Sequence, residues 1–463
     1  MLNKRLAICI IFLLVLSSGC IAKEKLYYSA SFSLSETARE MRSPGFWTSR
    51  HLFADRLLMD QSQIRSFNQH IQNDLKLNRD IAALGKTFPG EEVVNGIKAS
   101  LASFSSRNYY LASSVPADTA FLMEIERNMG LDNVPSKIEI KYGLTNGYAD
   151  QRILPVKEGL YEDQGDTNFD ELQNSSLDLG TPLAVLHESG DGKWLYVLGP
   201  SSDGWVEKKR VSMISLLELK KYLDQENIVV VISAKADIFL DPRLTVYHDL
   251  VGMGARFPRG PTKGTGAAEI IIPYQKADGN FSLKKAYVKK ESVSSGHLAY
   301  TPRNIIDQAF RLLNAPYSWG GAQGEQDCSG FIKQVFSTVG INLPRNSLAQ
   351  AAVGVPLGKF EKGSADEEKI KILSGNAAGG ATLIYMDGHI MLFLGMHEGK
   401  PYVIHDIWGY RQNGAKGGEA LIIGRVAVTG LDLGKGSSRG SLLERIISIV
   451  SVSASPPVES LRP

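Results

Sequence analysis

The stretch from residue 317 to residue 331 reads YSWGGAQGEQDCSGF and joins a glycine-rich loop to the start of a helix. The apolar residues that follow have the spacing of one helix face: Phe331, Ile332, Val335, Phe336 and Val339. We therefore predict a helix that begins near Cys328 and ends at Gly340, because glycine commonly terminates helices. The unpaired amides at a helix N-terminus stabilise a thiolate, lowering its pKa, and can hold a developing oxyanion. This position favours a nucleophile over a buried, inert cysteine.

The cysteines of the chain are expected to have different roles. Cys9 lies in an apolar segment, residues 6–16, which follows basic residues and is too short to span a bilayer. Small residues then lead to Cys20, as in a bacterial lipobox. We expect residues 1–20 to form a lipoprotein signal peptide with lipid attached at Cys20, and a plain secretory signal is the alternative. Cys328 then remains without a disulfide partner in an oxidising compartment.

A thiolate nucleophile needs a base, and the sequence offers His389. This residue follows an Asp-Gly turn and opens an apolar strand, which returns as a second strand after residues 397–399. A three-residue hairpin loop that ends in glycine is a favoured form, and with it Met391 faces His405. His405 then lies on the same sheet face as His389, within side-chain reach, and can fix its tautomer. A two-residue loop would put the two histidines on opposite faces; His397, in the turn, is expected to be solvated.

The composition and the remaining histidines exclude several classes of protein. The 463 residues are 43% hydrophobic and 22% charged, and 51 basic residues against 49 acidic ones give a net charge of only +2. A nucleic-acid-binding protein normally has a clear basic excess, so no nucleic-acid partner is expected. No metal site is expected, because the other histidines show no metal-ligand spacing, and a cysteine nucleophile with a histidine base needs no organic cofactor. They are His51, His70, His187, His248 and His297.

Patterns along the chain predict a multidomain α+β protein. Residues 24–132 mix helical patterns with polar loops and are expected to form a helical N-terminal region. Residues 137–218 and residues 226–296 contain short alternating runs separated by turn signals, and each is expected to form a small β-barrel. Residues 299–432 combine two helices with four strands. Residues 433–463 are expected to form a C-terminal tail, disordered at its Ser- and Pro-rich end.

Three segments together resemble the NlpC family of cell-wall cysteine peptidases. They are the tyrosine-then-glycines segment at Tyr317, the Asp-Cys-Ser-Gly-Phe core at residues 327–331 and the Gly-His strand at His389. His405 stands as the later polar residue of that family's triad. The resemblance implies a papain-like α+β catalytic domain in which Cys328, His389 and His405 are catalytic.

The same resemblance implies roles for the neighbours of the nucleophile. Tyr317 is expected to line the site, and Asp327 and Ser329 are expected to bind the amino end of the substrate. For Asp327 the alternative is a purely structural role at the helix start, where a carboxylate interacts favourably with the helix dipole.

The resemblance extends upstream, to a multidomain branch of the family with an N-terminal stabilising region and two bacterial SH3-like barrels. The segments that carry it include Phe46-Trp47, residues 189–194 and residues 204–206. Enzymes of this branch cleave the γ-D-glutamyl bond to the diamino acid in peptidoglycan stem peptides. Their first barrel borders the active site and favours peptides with a free N-terminal L-alanine.

We therefore expect an exported envelope lipoprotein that faces the periplasm and is held to the membrane by its lipid anchor. Its expected reaction is hydrolysis of the γ-D-glutamyl–diaminopimelate bond in peptidoglycan-derived peptides. One alternative is an amidase or acyltransferase that uses the same three residues. Another is a wall-binding scaffold without activity, although an intact cysteine and two histidines favour an enzyme.

Overall fold

The computed structural model describes residues 27–29, 34, 37–261, 266–276, 281–412 and 420–453. The predicted multidomain α+β fold class is confirmed, with a mainly helical N-terminal region, two β-rich segments and an α+β C-terminal domain. Cys20 and the predicted signal peptide lie outside the described residues. Within the described ranges, no helix is both long enough and apolar enough to cross a membrane.

The N-terminal region is mostly helical because its sequence supplies helix caps and apolar stripes. Its main elements are β1 (Tyr27–Ser29), α1 (Pro44–Thr48), α2 (Gln61–Gln69), β2 (Thr87–Pro89), α3 (Gly90–Ser105), α4 (Thr119–Met129) and β3 (Lys137–Glu139). Asp60 starts α2 with a capping box that it shares with Gln63. In α3, Val93, Ile97 and Leu101 lie on one face and are buried against the β-rich segment that follows.

The first β-rich segment is a seven-stranded antiparallel sheet. Its strands are β4 (Lys141–Thr145), β5 (Ala149–Arg152), β6 (Gln173–Leu177), β7 (Pro182–Glu188), β8 (Trp194–Leu198), β9 (Asp203–Glu207) and β10 (Val211–Ile214). They lie in the order β10-β4-β7-β8-β9-β5-β6. Trp205 is fully buried in its core, and Gly192, with a φ of 69°, lies in the predicted turn between β7 and β8.

The second β-rich segment follows helix α5 (Leu216–Leu223) and contains two small sheets. Its strands are β11 (Ile228–Val231), β12 (Lys235–Phe239), β13 (Tyr247–Gly252), β14 (Arg256–Pro258), β15 (Ala267–Gln275), β16 (Phe281–Lys289) and β17 (Val293–Ser295). One sheet has the order β14-β11-β17 and the other β13-β12-β16-β15. Ile238, Ile270 and Ala286 are fully buried between them.

The C-terminal domain packs helices on a seven-stranded sheet. Its elements are α6 (Pro302–Arg311), α7 (Cys328–Ser337), α8 (Ser347–Gln350), β18 (Val355–Lys359), α9 (Asp366–Gly375), β19 (Thr382–Met386), β20 (His389–His397), β21 (Lys400–Tyr410), β22 (Ala420–Gly430) and β23 (Ser448–Ser451). The sheet order is β1-β22-β21-β20-β19-β23-β18. The apolar face predicted for α7 is fully buried, and it packs against the sheet through residues such as Leu392 and Ile404.

Both ends of the C-terminal domain differ from the prediction. The tail expected at residues 433–463 includes a strand of the sheet, because β23 pairs with β19 and with β18. Ile449 and Val450 are buried, and the Tyr300 hydroxyl donates to the carbonyl of Val452. Residues 454–463 lie outside the described part of the chain. At the other end, β1 pairs in parallel with β22, so the expected helical region contributes an edge strand to this sheet.

Candidate active site

Cys328 is the first residue of α7, where the sequence predicts it. The Asp327 side chain caps the helix, since its Oδ1 accepts a hydrogen bond from the Gly330 amide at 2.8 Å. Cys328 is 7% exposed, and its sulfur accepts a hydrogen bond from the backbone amide of Ile390 on β20. The candidate nucleophile therefore lies beside the start of the strand that carries His389.

The glycines before the nucleophile bring its loop against the first β-rich segment. Gly320 and Gly321 have φ values of 64° and 74°, which other residues rarely adopt. A Cβ on Gly320 would lie 2.6 Å from the main-chain oxygen of Gln173, and one on Gly321 would lie 2.6 Å from the hydroxyl of Ser176. Both of these partners are on β6. The two glycines thus permit β6 to approach the loop that leads to Cys328.

His389 and His405 are in direct contact. Nε2 of His389 lies 2.7 Å from Nδ1 of His405, and both side chains are buried. Since His389 uses Nε2 in this contact, its Nδ1 is the ring nitrogen left to accept a proton. The Ile390 amide, next to His389 along β20, donates to the sulfur of Cys328, so the strand that starts at His389 contacts the candidate nucleophile.

The hairpin between the two histidines differs from the predicted one. A two-residue turn, Glu398-Gly399, joins β20 to β21, because His397 pairs with Lys400. Both turn residues have positive φ, 48° and 75°, as a type I′ turn requires. The predicted three-residue loop is wrong.

A β-bulge compensates for the shorter loop. Phe393 pairs with Val403, whereas Gly395 pairs with Tyr402, so β20 contains one residue more than β21 over this interval. The extra residue shifts the alternation of side chains by one position and cancels the effect of the shorter loop. The two histidines therefore lie on the same face, for a reason that loop length alone does not supply.

Thr429 on β22 holds His405 from its other side, and sequence reasoning missed it. Its Oγ1 lies 3.0 Å from Nε2 of His405, and both residues are buried. If Nδ1 of His389 is free to accept a proton, Nε2 of His389 donates to His405, which in turn donates through its own Nε2 to Thr429. Because His405 pairs with Ala427, Thr429 is its diagonal neighbour. The register of β22 would have been the only signal for it.

His397 is less solvated than predicted. Its ring packs edge-on against Phe46, with 5.1 Å between ring centroids, and lies 6.3 Å from the ring of Tyr402. Its side chain is 24% exposed. Helix α1, which contains Phe46, therefore covers the turn end of the hairpin.

The carboxylate of Asp327 is already paired within the protein. Arg345 donates to its Oδ1 at 3.0 Å and to its Oδ2 at 2.7 Å, and the Ser329 hydroxyl donates to Oδ1 at 3.0 Å. Arg345, which has no distinguishing pattern in the sequence, also donates through Nε to the hydroxyl of Ser175 on β6 at 3.0 Å. This geometry supports the structural alternative for Asp327 and links the start of α7 to the first β-rich segment.

Tyr317 lies beside the nucleophile and within a group of aromatic rings. Its ring centroid is 5.8 Å from that of Trp408, and Phe169 lies edge-on to both Trp408 and Trp319. Burial raises the pKa of Tyr317, and the neighbouring Cys328 raises that pKa further. The hydroxyl therefore stays protonated and can donate a hydrogen bond into the site.

Two stretches of the chain match known protein families. Residues 314–411 match the NlpC/P60 family. Residues 314–411 thus form a domain of the NlpC/P60 family. Residues 160–207 match an SH3 domain of the SH3b1 type, so the NlpC/P60 domain follows at least one SH3-type domain. The predicted family is confirmed.

Individual relatives of this NlpC/P60 protein are distant. A gamma-D-glutamyl-L-lysine dipeptidyl-peptidase of Bacillus cereus (strain ATCC 10987 / NRS 248) is 25% identical over 211 residues, which are 42% of this chain and 58% of the relative. The protein of the same name from Bacillus subtilis (strain 168) is 39% identical over 96 residues, 19% of this chain and 32% of the relative. The chain thus matches less than two thirds of the length of either relative.

A solved structure extends the likeness to nearly the whole fold. The structure of an NlpC/P60 endopeptidase from Photobacterium damselae subsp. piscicida superimposes with a TM-score of 0.72. The superposition covers 93% of this chain and 100% of the other, at 20% sequence identity. The two proteins therefore share the arrangement of the NlpC/P60 domain and the domains before it.

The electrostatics of the NlpC/P60 site differ from the expectation. Burial raises the pKa of the Cys328 thiol to about 12, and the Asp327 carboxylate contributes to this rise, which exceeds the lowering by the Ile390 amide. Burial also lowers the pKa of His389 to about 3. The expected lowering of the thiol pKa is wrong, because burial and the nearby carboxylates raise it more than the Ile390 amide and Arg345 lower it. The resting pair is a neutral thiol with a neutral imidazole, so the proton must move as the sulfur attacks.

The NlpC/P60 site is nearly closed, and a polar cavity lies beside the loop that leads to Cys328. The cavity, of about 630 Å³, is located where both β-rich segments meet α7, and its lining includes Asp178, Arg256 and Lys333 but none of the three candidate catalytic residues. Among the described residues, no group of three or more His, Cys, Asp or Glu side chains could hold a metal ion.

Proposed function

We propose that the protein is a cysteine endopeptidase that hydrolyses the bond between γ-D-glutamate and diaminopimelate in peptidoglycan stem peptides. The observations that carry this proposal are the contact between His389 and His405 and the hydrogen bond from the Ile390 amide, on the same strand as His389, to the sulfur of Cys328. In the proposed site, His389 is the base for the thiol of Cys328 and His405 is its orienting group. The names of two relatives, both gamma-D-glutamyl-L-lysine dipeptidyl-peptidases, support a γ-D-glutamyl bond as the target.

In the proposed reaction, the Cys328 sulfur attacks the γ-carbonyl carbon while its proton passes to Nδ1 of His389. The carbonyl oxygen becomes an oxyanion, which the backbone amide of Cys328 stabilises. His389 then gives the proton to the amine of the diamino acid as the C–N bond breaks, which leaves a thioester. Water, deprotonated by His389, hydrolyses the thioester and restores the thiol. His405 orients His389 throughout, and these steps require no metal or organic cofactor.

The first β-rich segment would restrict the substrate to peptides with a free N-terminal L-alanine. Its strand β6 approaches the nucleophile loop at Gly320 and Gly321, and Ser175 on the same strand bonds Arg345. A papain-like cleft is open at both ends, so a domain packed against one end blocks any substrate that extends past its first residue. Stem peptides that are still attached to muramic acid should therefore be cleaved poorly.

The protein would act in the cell envelope, exported and held to a membrane by lipid on Cys20, facing the periplasm. The N-terminal sequence pattern and a family that acts on the cell wall support this location. Mass spectrometry of the mature protein tests it, with a lipid-modified Cys20 as the expected N-terminus. An unmodified N-terminus at or beyond residue 20 would favour a plain secretory signal.

The test of the reaction is incubation with L-Ala-γ-D-Glu-diaminopimelate, followed by identification of the products by mass spectrometry. The expected products are L-Ala-γ-D-Glu and free diaminopimelate, and the Cys328→Ala variant is the control. A parallel incubation uses the same peptide attached to muramic acid. Release of the intact peptide from muramic acid would indicate an amidase, and transfer to an added amine an acyltransferase. Wall binding without any product would indicate a scaffold.

A further inference from the structure

Asp406 is a buried carboxyl group that has no part in the reaction proposed above. It follows His405 on β21, so its side chain points to the opposite face of the sheet. Asp406 is 0% exposed, and neither of its oxygens has a hydrogen bond of normal geometry among the described residues. A buried carboxylate without a partner is strongly unfavourable, and such a group therefore tends to take up a proton.

The face of β21 that carries Asp406 is turned towards the nucleophile. Asp406 lies close enough to Cys328 to act on its thiol, and it lies next to the Gln326 side chain in the loop before α7. Burial raises the pKa of Asp406 well above its ordinary value. The Gln326 amide opposes this rise, while the carboxylates of Asp327 and Glu325 add to it.

The cations nearest this region are already engaged with other carboxylates. Arg345 pairs with Asp327, and Lys235 pairs with Glu325. From β22, the residue opposite Asp406 is the apolar Val426. The charges that shift the pKa of Asp406 are those of Asp327 and Glu325, and both are negative.

We propose that Asp406 is a positioning residue that acts through Cys328: when protonated it lets negative charge form on the sulfur and on the oxyanion, and when ionised it opposes both. The proposal rests on the cysteine mechanism proposed above. It also predicts an upper pH limit for activity. The pKa values of Cys328 and His389, at about 12 and about 3, leave neither group to titrate just above neutral pH.

The direction of this pH dependence follows from the raised pKa of Asp406. The active, neutral acid predominates below that pKa and is lost as the pH rises through it. Activity should therefore fall on the alkaline side of the optimum, although neither the thiol nor the imidazole changes its charge there.

The first test is the substitution Asp406→Asn, because asparagine has the shape of the protonated acid and cannot ionise. At neutral pH the variant should keep kcat/KM within about threefold of the wild type. At the alkaline pH where the wild type has lost about tenfold, the variant should have lost little, since one unit of pKa corresponds to a tenfold change. Asp387→Asn, which removes an exposed carboxyl just before the histidine strand, is the matched control and should follow the wild-type profile.

A second measurement does not depend on the substrate. The rate at which iodoacetamide alkylates Cys328 reports the thiolate, and its pH midpoint should be about one unit lower in Asp406→Asn, because a nearby like charge disfavours ionisation. Carbon-13 NMR of the aspartate-labelled wild type should show the Asp406 carboxyl protonated at neutral pH. This spectrum needs no variant, so it reports the protonation state of Asp406 even if Asp406→Asn does not fold.

Three results would overturn the proposal. They are equal alkaline profiles in the wild type and Asp406→Asn, a folded but inactive Asp406→Asn at neutral pH, and an Asp406 carboxyl that titrates at its ordinary pKa. A wild type that cleaves no stem peptide would instead contradict the proposed substrate. In that case the alkylation profile and the NMR titration still decide the role of Asp406.

Discussion

The nucleophile side and the base side of the site are built in different ways. The nucleophile side comes from one continuous stretch, residues 317–331, in which glycines and a helix cap set the geometry locally. The base side comes from three strands and joins residues as distant in sequence as His389 and Thr429. Its geometry depends on strand register. The nucleophile side should therefore tolerate changes elsewhere in the chain, whereas the base side should respond to changes along the whole hairpin.

Removing the nucleophile should have the largest effect. In Cys328→Ala, turnover should fall to the uncatalysed level because attack on the carbonyl requires the sulfur. The melting temperature should change little, since one atom is lost at a helix start. Steady-state kinetics and thermal unfolding of both proteins check this, and iodoacetamide should label the wild type at Cys328. Substantial turnover by the alanine variant would exclude the cysteine mechanism.

Removing the base should be nearly as damaging. His389→Ala should lower kcat by about 10²–10⁴-fold, the range for general acid–base catalysis. Burial lowers the pKa of His389 to about 3, so its active, neutral form is lost only as the pH falls through that value. The acid limb of kcat/KM in the wild type should therefore lie well below the ordinary histidine value of about 6.5. An acid limb near that ordinary value would contradict the buried, neutral imidazole.

The orienting histidine should matter less than the base. His405→Ala should retain more activity than His389→Ala, and His405→Asn should retain more still, because an amide can accept the hydrogen bond from Nε2 of His389. His397→Ala is the control, since His397 lies outside this chain of hydrogen bonds. Its kcat should stay close to that of the wild type. Should His397→Ala be the more damaging change, the assignment of His405 would fail.

The hydroxyl of Thr429 should have a smaller effect, again confined to the base side. Thr429→Val keeps the shape but leaves Nε2 of His405 buried without a partner, which costs about 1–3 kcal/mol. We expect kcat to fall about tenfold at most, with KM unchanged, and Thr429→Ser to restore it. Kinetics of the three proteins provide the check. Equal kcat values would show that the tautomer of His405 does not depend on Thr429.

The smallest effect on turnover should come from the contact between the nucleophile loop and β6. Gly320 and Gly363 both have positive φ, 64° and 87°, so alanine at either should cost about 1–2 kcal/mol of backbone strain. Only at Gly320 would the new Cβ collide with Gln173, since nothing lies within 4 Å of a Cβ at Gly363. Gly320→Ala should therefore be the more destabilising in thermal unfolding, and it alone should lower kcat/KM. Equal losses in both variants would mean that the loop can move away from β6.

The sequence predicts the nucleophile side better than the base side. The helix start at Cys328 and its apolar face follow from local spacing and are as predicted. The contact of His389 with His405 is also as predicted, but through a two-residue turn and a bulge rather than a three-residue loop. A bulge depends on packing across the sheet, so the local sequence pattern does not predict it.

Residues that act through distant partners could not be predicted. Thr429 and Arg345 owe their roles to neighbours on other elements, and neither stands in a distinctive local pattern. The pKa of Cys328 also departs from the prediction, because burial, a property of the folded chain, is the largest influence on it and raises it. Strand β23 could not be predicted for a related reason. Its serines are typical of a tail, and it is buried because it lies between β19 and β18 in the sheet.

The two-residue turn and the bulge have a consequence for how the hairpin can change in length. Side chains alternate along a strand, so inserting or deleting one residue between His389 and His405 would turn one ring to the other face, while a change of two would leave both on the same face. The hairpin already contains two such changes that cancel. Its turn is one residue shorter than the predicted loop, and β20 is one residue longer than β21 at the bulge. The number of residues between the two histidines can therefore change by two without turning either ring, but not by one. A single inserted residue would inactivate the enzyme with every catalytic side chain still present, and a second insertion nearby would restore it.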